Sequence, residues 1–298
     1  MNHTILLIVS MAASLLASLA KKFLTDRYEN SASTYHFYNA LVSLTSAAAL
    51  FALSGVPSVS LFTVLLALAF GLVTALQQIT SLQALENGPF SYTTVILSLS
   101  TLIPTLSGAI FWHETIVPVQ IIGILLLLVC FVLSVDLNTE KKAATLRWIL
   151  FCAVAFLCTG MIGVMQKWHQ SSAFKNELDG FLIIAFAFSF LYSAANWFLL
   201  RKKDSATSDT TSAKKPLFTP FPIALMLISG ICVAANNKLN LFLSGVIDSA
   251  IFFPVVNGGN LILVTLAACL LFRERPTLRQ WIGILFGIAS VLLLCNPF

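Results

Sequence analysis

Three asparagines lie together inside a stretch of the chain that is otherwise apolar. Asn236, Asn237 and Asn240 fall within residues 221–244, which are long enough to cross a membrane as one helix. Because each helical residue turns by about 100°, the three side chains share one side of that predicted helix. Amides in hydrocarbon need hydrogen-bond partners, which neighbouring helices, water or a polar solute can supply. The pattern therefore predicts part of a binding site for a small polar molecule.

A second amide stripe occurs earlier in the chain. A constant shift along the sequence aligns Gln77 with Asn236 and Gln78 with Asn237. One interpretation is that the two stripes line a cavity open to one side of the membrane. The other is that the amides pair with each other and form a polar core without a cavity. We expect the cavity, and the candidate aromatic walls for it are Tyr92 and Trp197.

A third polar group occurs at residues 257–260, which read Asn-Gly-Gly-Asn. Glycine weakens a helix, and Pro254 just before them removes a backbone hydrogen bond. We therefore expect an irregular or kinked helix between Pro254 and Asn260, with Pro104 as the matching kink in an earlier segment. Asn257 and Asn260 either face the cavity or bond across a helix interface, with similar support from the sequence. Of the two, we predict that Asn260 lines the cavity together with the two amide stripes.

Lys238 is the charge that lies deepest within a predicted membrane span. Its side chain either extends to the outer membrane interface or attracts an anionic group of a substrate. The residue that matches it in the earlier stripe is Ile79, so recognition of a charge would be one-sided.

Composition defines the class of protein. Hydrophobic residues make up 58% of the 298 residues and charged residues 10%, and the mean hydropathy is +0.91. A soluble shell cannot cover so much apolar surface, so we predict an all-α integral membrane protein. The net charge of +5 comes from residues at segment ends and does not indicate nucleic-acid binding. No enzyme motif, cofactor motif or metal-ligand spacing occurs in the sequence.

Ten apolar segments are predicted to be transmembrane helices, at about 4–22, 33–54, 58–84, 90–112, 116–136, 146–168, 179–200, 221–244, 249–272 and 276–295. The polar stretch 201–219 is predicted to be a flexible surface loop. Of the 17 basic residues, all but Lys167, Lys175 and Lys238 fall on one set of loops, which the positive-inside rule makes cytoplasmic. Both termini are then outside.

The two halves of the chain repeat each other. A constant shift aligns Glu114 with Glu274 and Gly123 with Gly283. With five helices in each half, the second half enters the membrane from the opposite side, which makes the repeat an inverted one. The predicted repeats are residues 1–136 and 146–298, the second containing the flexible loop.

The repeated residues have plain structural interpretations. Glu114 and Glu274 each end a helix beside a proline-containing turn, where a carboxylate caps or braces the N-terminus of the following helix, so we assign both a structural role rather than a substrate contact. Gly123 and Gly283 are predicted close-packing positions. The motif Gly283-x-x-x-Gly287 is typical of helix interfaces and allows a homodimer.

These features together resemble the drug/metabolite transporter superfamily, and the EamA-like branch most of all. The residues that carry the resemblance in the two halves are Pro89-Phe90-Ser91, Pro104, Glu114, Gln120 and Gly123, then Asp248-Ser249-Ala250, 257–260, Glu274, Gln280 and Gly283. The small multidrug branch depends on a glutamate in its first helix, whereas the first span here, Thr4–Ala20, contains no acidic residue. Exchange of protons for lipophilic cations is therefore not expected.

The resemblance implies a secondary-active transporter that works by alternating access and has small-molecule substrates and membrane lipid as its partners. Small polar metabolites are the expected substrates, and export of amino acids or related metabolites is the first candidate. One alternative is an exchanger of anionic substrates such as nucleotide sugars or phosphorylated metabolites. Another is a membrane receptor or scaffold that transports nothing.

Overall fold

The computed structural model describes residues 3–27, 32–87, 90–133, 145–207, 219–272 and 277–295. Within these ranges the chain forms helices joined by short turns and contains no strand. A helix bonds every backbone amide and carbonyl inside its own segment, which is what an apolar chain needs in a bilayer.

Eleven α-helices and one short 3-10 turn, Lys175–Glu177, occur in the described ranges. The helices are α1 (His3–Arg27), α2 (Ala32–Ser54), α3 (Leu61–Asn87), α4 (Phe90–Leu99), α5 (Leu102–Phe111), α6 (Pro118–Leu133), α7 (Leu146–Ser171), α8 (Leu178–Thr207), α9 (Pro220–Ser244), α10 (Ser249–Phe272) and α11 (Leu278–Cys295).

Eight of the described helices contain segments that are long and apolar enough to cross a membrane. Two further apolar segments are shorter, Val95–Phe111 and Pro118–Leu133. The protein is therefore an all-α, multi-pass membrane protein. A set of ten spans stays a prediction, because the fourth and fifth predicted segments form only these shorter helices.

The fourth predicted segment is broken in its middle, between α4 and α5. Around Ser100 and Thr101 the backbone bonds join residues three apart, with Ser100 N donating to Leu97 O at 3.2 Å and Ile103 N to Ser100 O at 3.1 Å. Pro104 has no N–H with which to continue the α-helical pattern to Ser100. The chain therefore makes one tight turn and starts a new helix, with Pro104 in its first turn.

α10, in contrast, runs without interruption through Pro254 and the Asn-Gly-Gly-Asn sequence. The predicted irregular segment is therefore not observed. Gly258 has a packing role instead, because a Cβ there would lie 2.5 Å from Leu127 Cδ1 of α6. The side chain of Asn257 bonds back to its own helix, with Nδ2 donating to Phe253 O at 2.9 Å.

The chain forms two compact units. Unit 1 is made of residues 1–75 and 172–242, and unit 2 of residues 76–171 and 243–298. Each unit thus combines segments from both halves of the sequence, and α3 passes from unit 1 to unit 2 after Ala75.

Unit 1 is built around the packing of α2 along α8 and of α2 on α9. Ser43 Oγ of α2 donates to Ser189 Oγ of α8 at 3.2 Å, and Ser46 Oγ donates to Gly230 O of α9 at 2.8 Å. Short polar side chains allow the helices to approach closely and satisfy their own hydrogen bonds inside an apolar interior.

Unit 2 contains the packing of α6 along α11, and small residues make it close. Ser290 Oγ donates to Gly123 O at 2.6 Å, and a Cβ at Gly123 would lie 2.8 Å from Leu294 Cγ. Gly283 is buried, and a Cβ at Gly287 would lie 2.8 Å from Cys130 Sγ. The glycine motif of α11 therefore packs against helices of its own chain.

Two glutamines that the repeat aligns have the same structural role. Gln120 Oε1 accepts the backbone N–H of Val117 at 3.0 Å, and Gln280 Oε1 accepts that of Thr277 at 2.8 Å. Each glutamine lies three residues after the residue whose N–H it accepts. Its side chain therefore caps the N-terminus of its own helix, α6 for Gln120 and α11 for Gln280.

Candidate functional site

The asparagine stripe of α9 forms a closed ring of hydrogen bonds with Ser10 of α1. Ser10 Oγ donates to Asn240 Oδ1 at 2.5 Å, Asn240 Nδ2 donates to Asn236 Oδ1 at 3.3 Å, and Asn236 Nδ2 donates to Ser10 Oγ at 3.1 Å. Asn236 Nδ2 also contacts Ser10 O at 2.9 Å. Ser10 is fully buried and the two amides are half-buried. Three polar side chains thus satisfy each other between two membrane-length helices.

The remaining candidates of unit 1 have local partners. Asn237 Nδ2 donates to Val233 O of its own helix at 3.0 Å. Trp197 packs against Phe37 with ring centroids 5.2 Å apart, and the guanidinium of Arg201 lies 5.4 Å from the Trp197 ring centroid. A tryptophan between an aromatic ring and an arginine has the surroundings of an interfacial anchor.

Lys238 of α9 forms an ion pair with Asp179, a residue in the first turn of α8. Nζ lies 2.7 Å from Asp179 Oδ1, and the two side chains are 37% and 29% exposed. The contact has the distance of an ion pair but not the angles of a directed hydrogen bond, since Oδ1 has no such bond among the described residues. Lys238 lies two positions from each asparagine of the ring, a rotation of about 200°, so its side chain leaves the opposite face of α9.

The glutamine stripe belongs to unit 2, at the end of α3. Gln77 Nε2 donates to Ser81 Oγ at 3.1 Å, one turn along the same helix. Gln78 is half-buried. Tyr92 lies in α4, but its side chain is outside the described residues.

The break between α4 and α5 is bonded to α10. Asn257 Nδ2 donates to Thr101 Oγ1 at 2.8 Å, and Thr101 is buried beside the break. One turn further along α10, Asn260 Oδ1 is buried without a hydrogen-bond partner among the described residues. Unit 2 therefore holds a tight turn of the 3-10 type, a hydroxyl and two amides at the middle of an apolar segment.

A second ion pair lies in unit 2, where Lys167 near the end of α7 meets Glu114 in the turn after α5. Nζ lies 2.5 Å from Glu114 Oε1, and the side chains are only 8% and 9% exposed. Glu114 Oε2 accepts the backbone N–H of Ser249 at 2.7 Å, and Lys167 Nζ reaches Ile247 O at 3.4 Å. Glu114 therefore caps the N-terminus of α10, and not that of the following helix, α6, as predicted; Gln120 caps α6 instead. Its predicted counterpart, Glu274, lies outside the described residues.

Sequence reasoning missed four partners, namely Ser10, Thr101, Lys167 and Asp179. The sequence places Lys167 only among the basic residues outside the cytoplasmic loops, and it does not single out Asp179. The signal that could have found them is a pairing rule, because a charge inside an apolar span requires a counter-ion. No group of three or more His, Cys, Asp or Glu side chains suited to a metal ion occurs in the described ranges.

Comparison with known proteins gives the fold but no function. No family model matches the chain. An uncharacterized protein of Haemophilus influenzae is 23% identical over 234 residues, which are 76% of this chain and 74% of that protein. A protein of known crystal structure superposes with a TM-score of 0.75 at 14% identity, over 98% of this chain and 96% of the other. The likeness to the crystal structure shows that the two chains share a fold along nearly their whole length.

Proposed function

We propose that the protein is a secondary-active transporter of small polar metabolites that works by alternating access in the cell membrane. Amino acids or related metabolites are the first candidates, and export is the expected direction, in keeping with the resemblance to EamA-like transporters of the drug/metabolite transporter superfamily. We further propose that the basic loops are cytoplasmic and the termini outside.

The observation that carries this proposal is the break at Ser100–Thr101 and its bond to Asn257. The break is a short turn with three-residue hydrogen bonds, and an interruption of an α-helix at membrane depth is tolerated where it is buried in protein or lines a water-filled cavity. Transporters place their sites at interrupted helices, because half-helix ends and freed backbone groups can bind a polar solute. Here the two half-helices, α4 and α5, have ten residues each, so the break lies at the middle of the segment.

The side chains of α10 next to this break suit a polar substrate. Asn257 uses its N–H groups on Thr101 and Phe253, which leaves its carbonyl oxygen as an acceptor. Asn260 Oδ1 is a second acceptor, on the same side of the helix and one turn away. Two acceptors favour a substrate that carries hydrogen-bond donors, such as an amine or a hydroxyl compound.

The packing of corresponding helices supports an internal repeat. The second predicted span packs on the seventh, as α2 on α8, and the fifth on the tenth, as α6 on α11. The matched caps of Gln120 and Gln280 add to this support. We propose that the repeat is inverted and comprises ten spans, the architecture of many secondary transporters. The sequence contains no nucleotide-binding motif, so transport would run on a solute or ion gradient.

An exchanger of anionic substrates has less support. Such a site needs an uncompensated cation, whereas Lys238 is paired with Asp179 and Lys167 with Glu114. A receptor or scaffold that transports nothing would need no break in the fourth segment. The polar break therefore favours transport of neutral or dipolar solutes.

The test is counterflow exchange in proteoliposomes with a panel of radiolabelled amino acids, followed by a panel of nucleotide sugars and sugar phosphates. Asn257→Ala should lower exchange of the best substrate at least about tenfold, because it removes the amide that joins α10 to the break. The matched control is Asn196→Ala in α8, whose Nδ2 likewise bonds the carbonyl four residues earlier, at 2.9 Å. Equal exchange by the two variants, or no exchange by the wild type, would contradict the proposal.

A further inference from the structure

The Glu114–Lys167 and Lys238–Asp179 ion pairs differ in how completely they are satisfied. In the Glu114–Lys167 pair both side chains are nine-tenths buried, and Ser249 N and Ile247 O provide further contacts. In the Lys238–Asp179 pair about a third of each side chain is exposed, and Asp179 Oδ1 has no directed hydrogen bond among the described residues. The Glu114–Lys167 pair is thus held by additional backbone contacts, whereas the Lys238–Asp179 pair retains hydrogen-bond donors and acceptors that are not used.

The Lys238–Asp179 pair is also unusual in its position. Lys238 lies six residues before α9 ends at Ser244, about 9 Å along the helix axis, so its ammonium belongs to a membrane-length segment. Among the described residues it has no polar contact other than Asp179. Asp179 lies in the first turn of α8, where the helix dipole stabilises its carboxylate. A positive and a negative group thus lie side by side within unit 1. About a third of each side chain is exposed, but the contacting oxygen, Asp179 Oδ1, is buried.

We propose that Lys238 and Asp179 form a recognition site for a zwitterion, with the substrate carboxylate on Lys238 and the substrate ammonium on Asp179. The inference rests on the proposed transport function and specifies the substrate class. It follows from charge balance. A zwitterion replaces both halves of the ion pair at once, so the site stays neutral and no charge is left without a partner.

A substrate with a single charge cannot do this. An anion on Lys238 would displace Asp179 and leave its carboxylate unpaired, and a cation on Asp179 would leave the ammonium of Lys238 unpaired. Leaving one member of this pair without its partner lowers affinity, although by less than in the buried Glu114–Lys167 pair, because about a third of each side chain is exposed. The pair therefore selects for dipolar solutes and against ions of either sign. Its specificity comes from the attraction of a zwitterion and from the unpaired charge that a single ion would leave behind.

The pair can also open to admit a substrate. Lysine carries its charge on a flexible four-carbon stem, and the Lys238 side chain is not enclosed by protein over about a third of its surface, which leaves room for an alternative position. The Glu114–Lys167 pair has no such position, because backbone groups hold both of its ends. It serves as the matched control.

The test uses the amino acid that the wild type exchanges best from a panel of twenty, together with its carboxamide, which is a cation, and its N-acetyl form, which is an anion. The wild type should exchange the amino acid at least about tenfold better than either blocked form. Asp179→Asn should lower amino-acid exchange and raise competition by the N-acetyl form. Lys238→Met should lower amino-acid exchange and raise competition by the carboxamide. A residue that only stabilised the fold would not produce these opposite shifts.

The double variant Lys238→Asp/Asp179→Lys restores a neutral pair and should recover exchange of the amino acid, which keeps the test valid if a single variant fails to fold. Glu114→Gln should lower thermal stability and leave the preference among the three probes unchanged. Unchanged probe preference in both Asp179→Asn and Lys238→Met would overturn the zwitterion site. Exchange of sugar phosphates but not of amino acids would also overturn the zwitterion site, while the proposed transport function would be kept. No exchange of any probe would overturn both the zwitterion site and the transport function.

Discussion

Glu114 bridges two elements through its two carboxylate oxygens, with Oε1 on Lys167 and Oε2 on the backbone N–H of Ser249. One side chain thereby neutralises a buried ammonium and caps the N-terminus of α10. Gly108 makes room for it, because a Cβ there would lie 2.6 Å from Ser249 Cβ and closer still to the carboxylate. Three elements of unit 2, α5, α7 and α10, meet at this carboxylate.

The first prediction concerns the stability of this cluster. Lys167→Met should lower the free energy of unfolding by about 3 kcal/mol, because it leaves the Glu114 carboxylate buried without its counter-ion. Thermal unfolding in detergent measures the change. Lys238→Met removes one partner of the Lys238–Asp179 pair, which is partly exposed. It should change the free energy of unfolding by less than about 1 kcal/mol. A similar loss of stability in the two variants would mean that the burial of an ion pair does not determine how much it contributes to stability here.

A second prediction tests the ring between Ser10, Asn236 and Asn240. Ser10→Ala removes a donor and an acceptor and should destabilise the protein by about 1 kcal/mol, as should Asn240→Ala. The double variant should cost less than the sum, since each single change already opens the ring. As control, Ser10→Ala is combined with Thr159→Ala, whose hydroxyl bonds Ala155 O within its own helix. Additive effects in both double variants would contradict a closed ring.

The sequence predicted that Asn236 and Asn240 need partners, but it could not supply Ser10, which lies far earlier in the chain. In a soluble helix, apolar periodicity separates the core face from the solvent face. In a membrane helix, lipid and protein interior are both apolar, so the pattern does not tell which face packs. The interruption near Pro104 was open to prediction because a proline acts within its own turn, but the same rule failed at Pro254, where α10 continues without interruption. Charge pairs such as Lys238 with Asp179 depend on which helix ends meet, and that depends on packing.

A third prediction compares two glycines with different neighbours. At Gly71 a Cβ would lie 2.6 Å from the backbone oxygen of Ala185 in α8, whereas at Gly258 it would meet the end of the flexible Leu127 side chain. Gly71→Ala should therefore destabilise by about 1–3 kcal/mol, because two helices must move apart. Gly258→Ala should have the smaller effect, since Leu127 can change rotamer. Thermal unfolding in detergent should rank the two variants, and a reversed order would show that α3 and α8 have room to separate.

The last prediction addresses the break in the fourth segment. Pro104→Ala restores a backbone N–H that can donate to Ser100 O and lets α5 extend toward α4. We expect exchange to fall because the polar turn at Ser100–Thr101 is lost, while thermal stability holds or rises. Pro254→Ala is the matched control, because that proline lies within the unbroken helix α10, where a restored N–H adds a hydrogen bond without closing a gap. Its exchange should stay near the wild-type rate. If Pro104→Ala transports as well as Pro254→Ala, the break is a packing feature of unit 2 and does not form part of the substrate path.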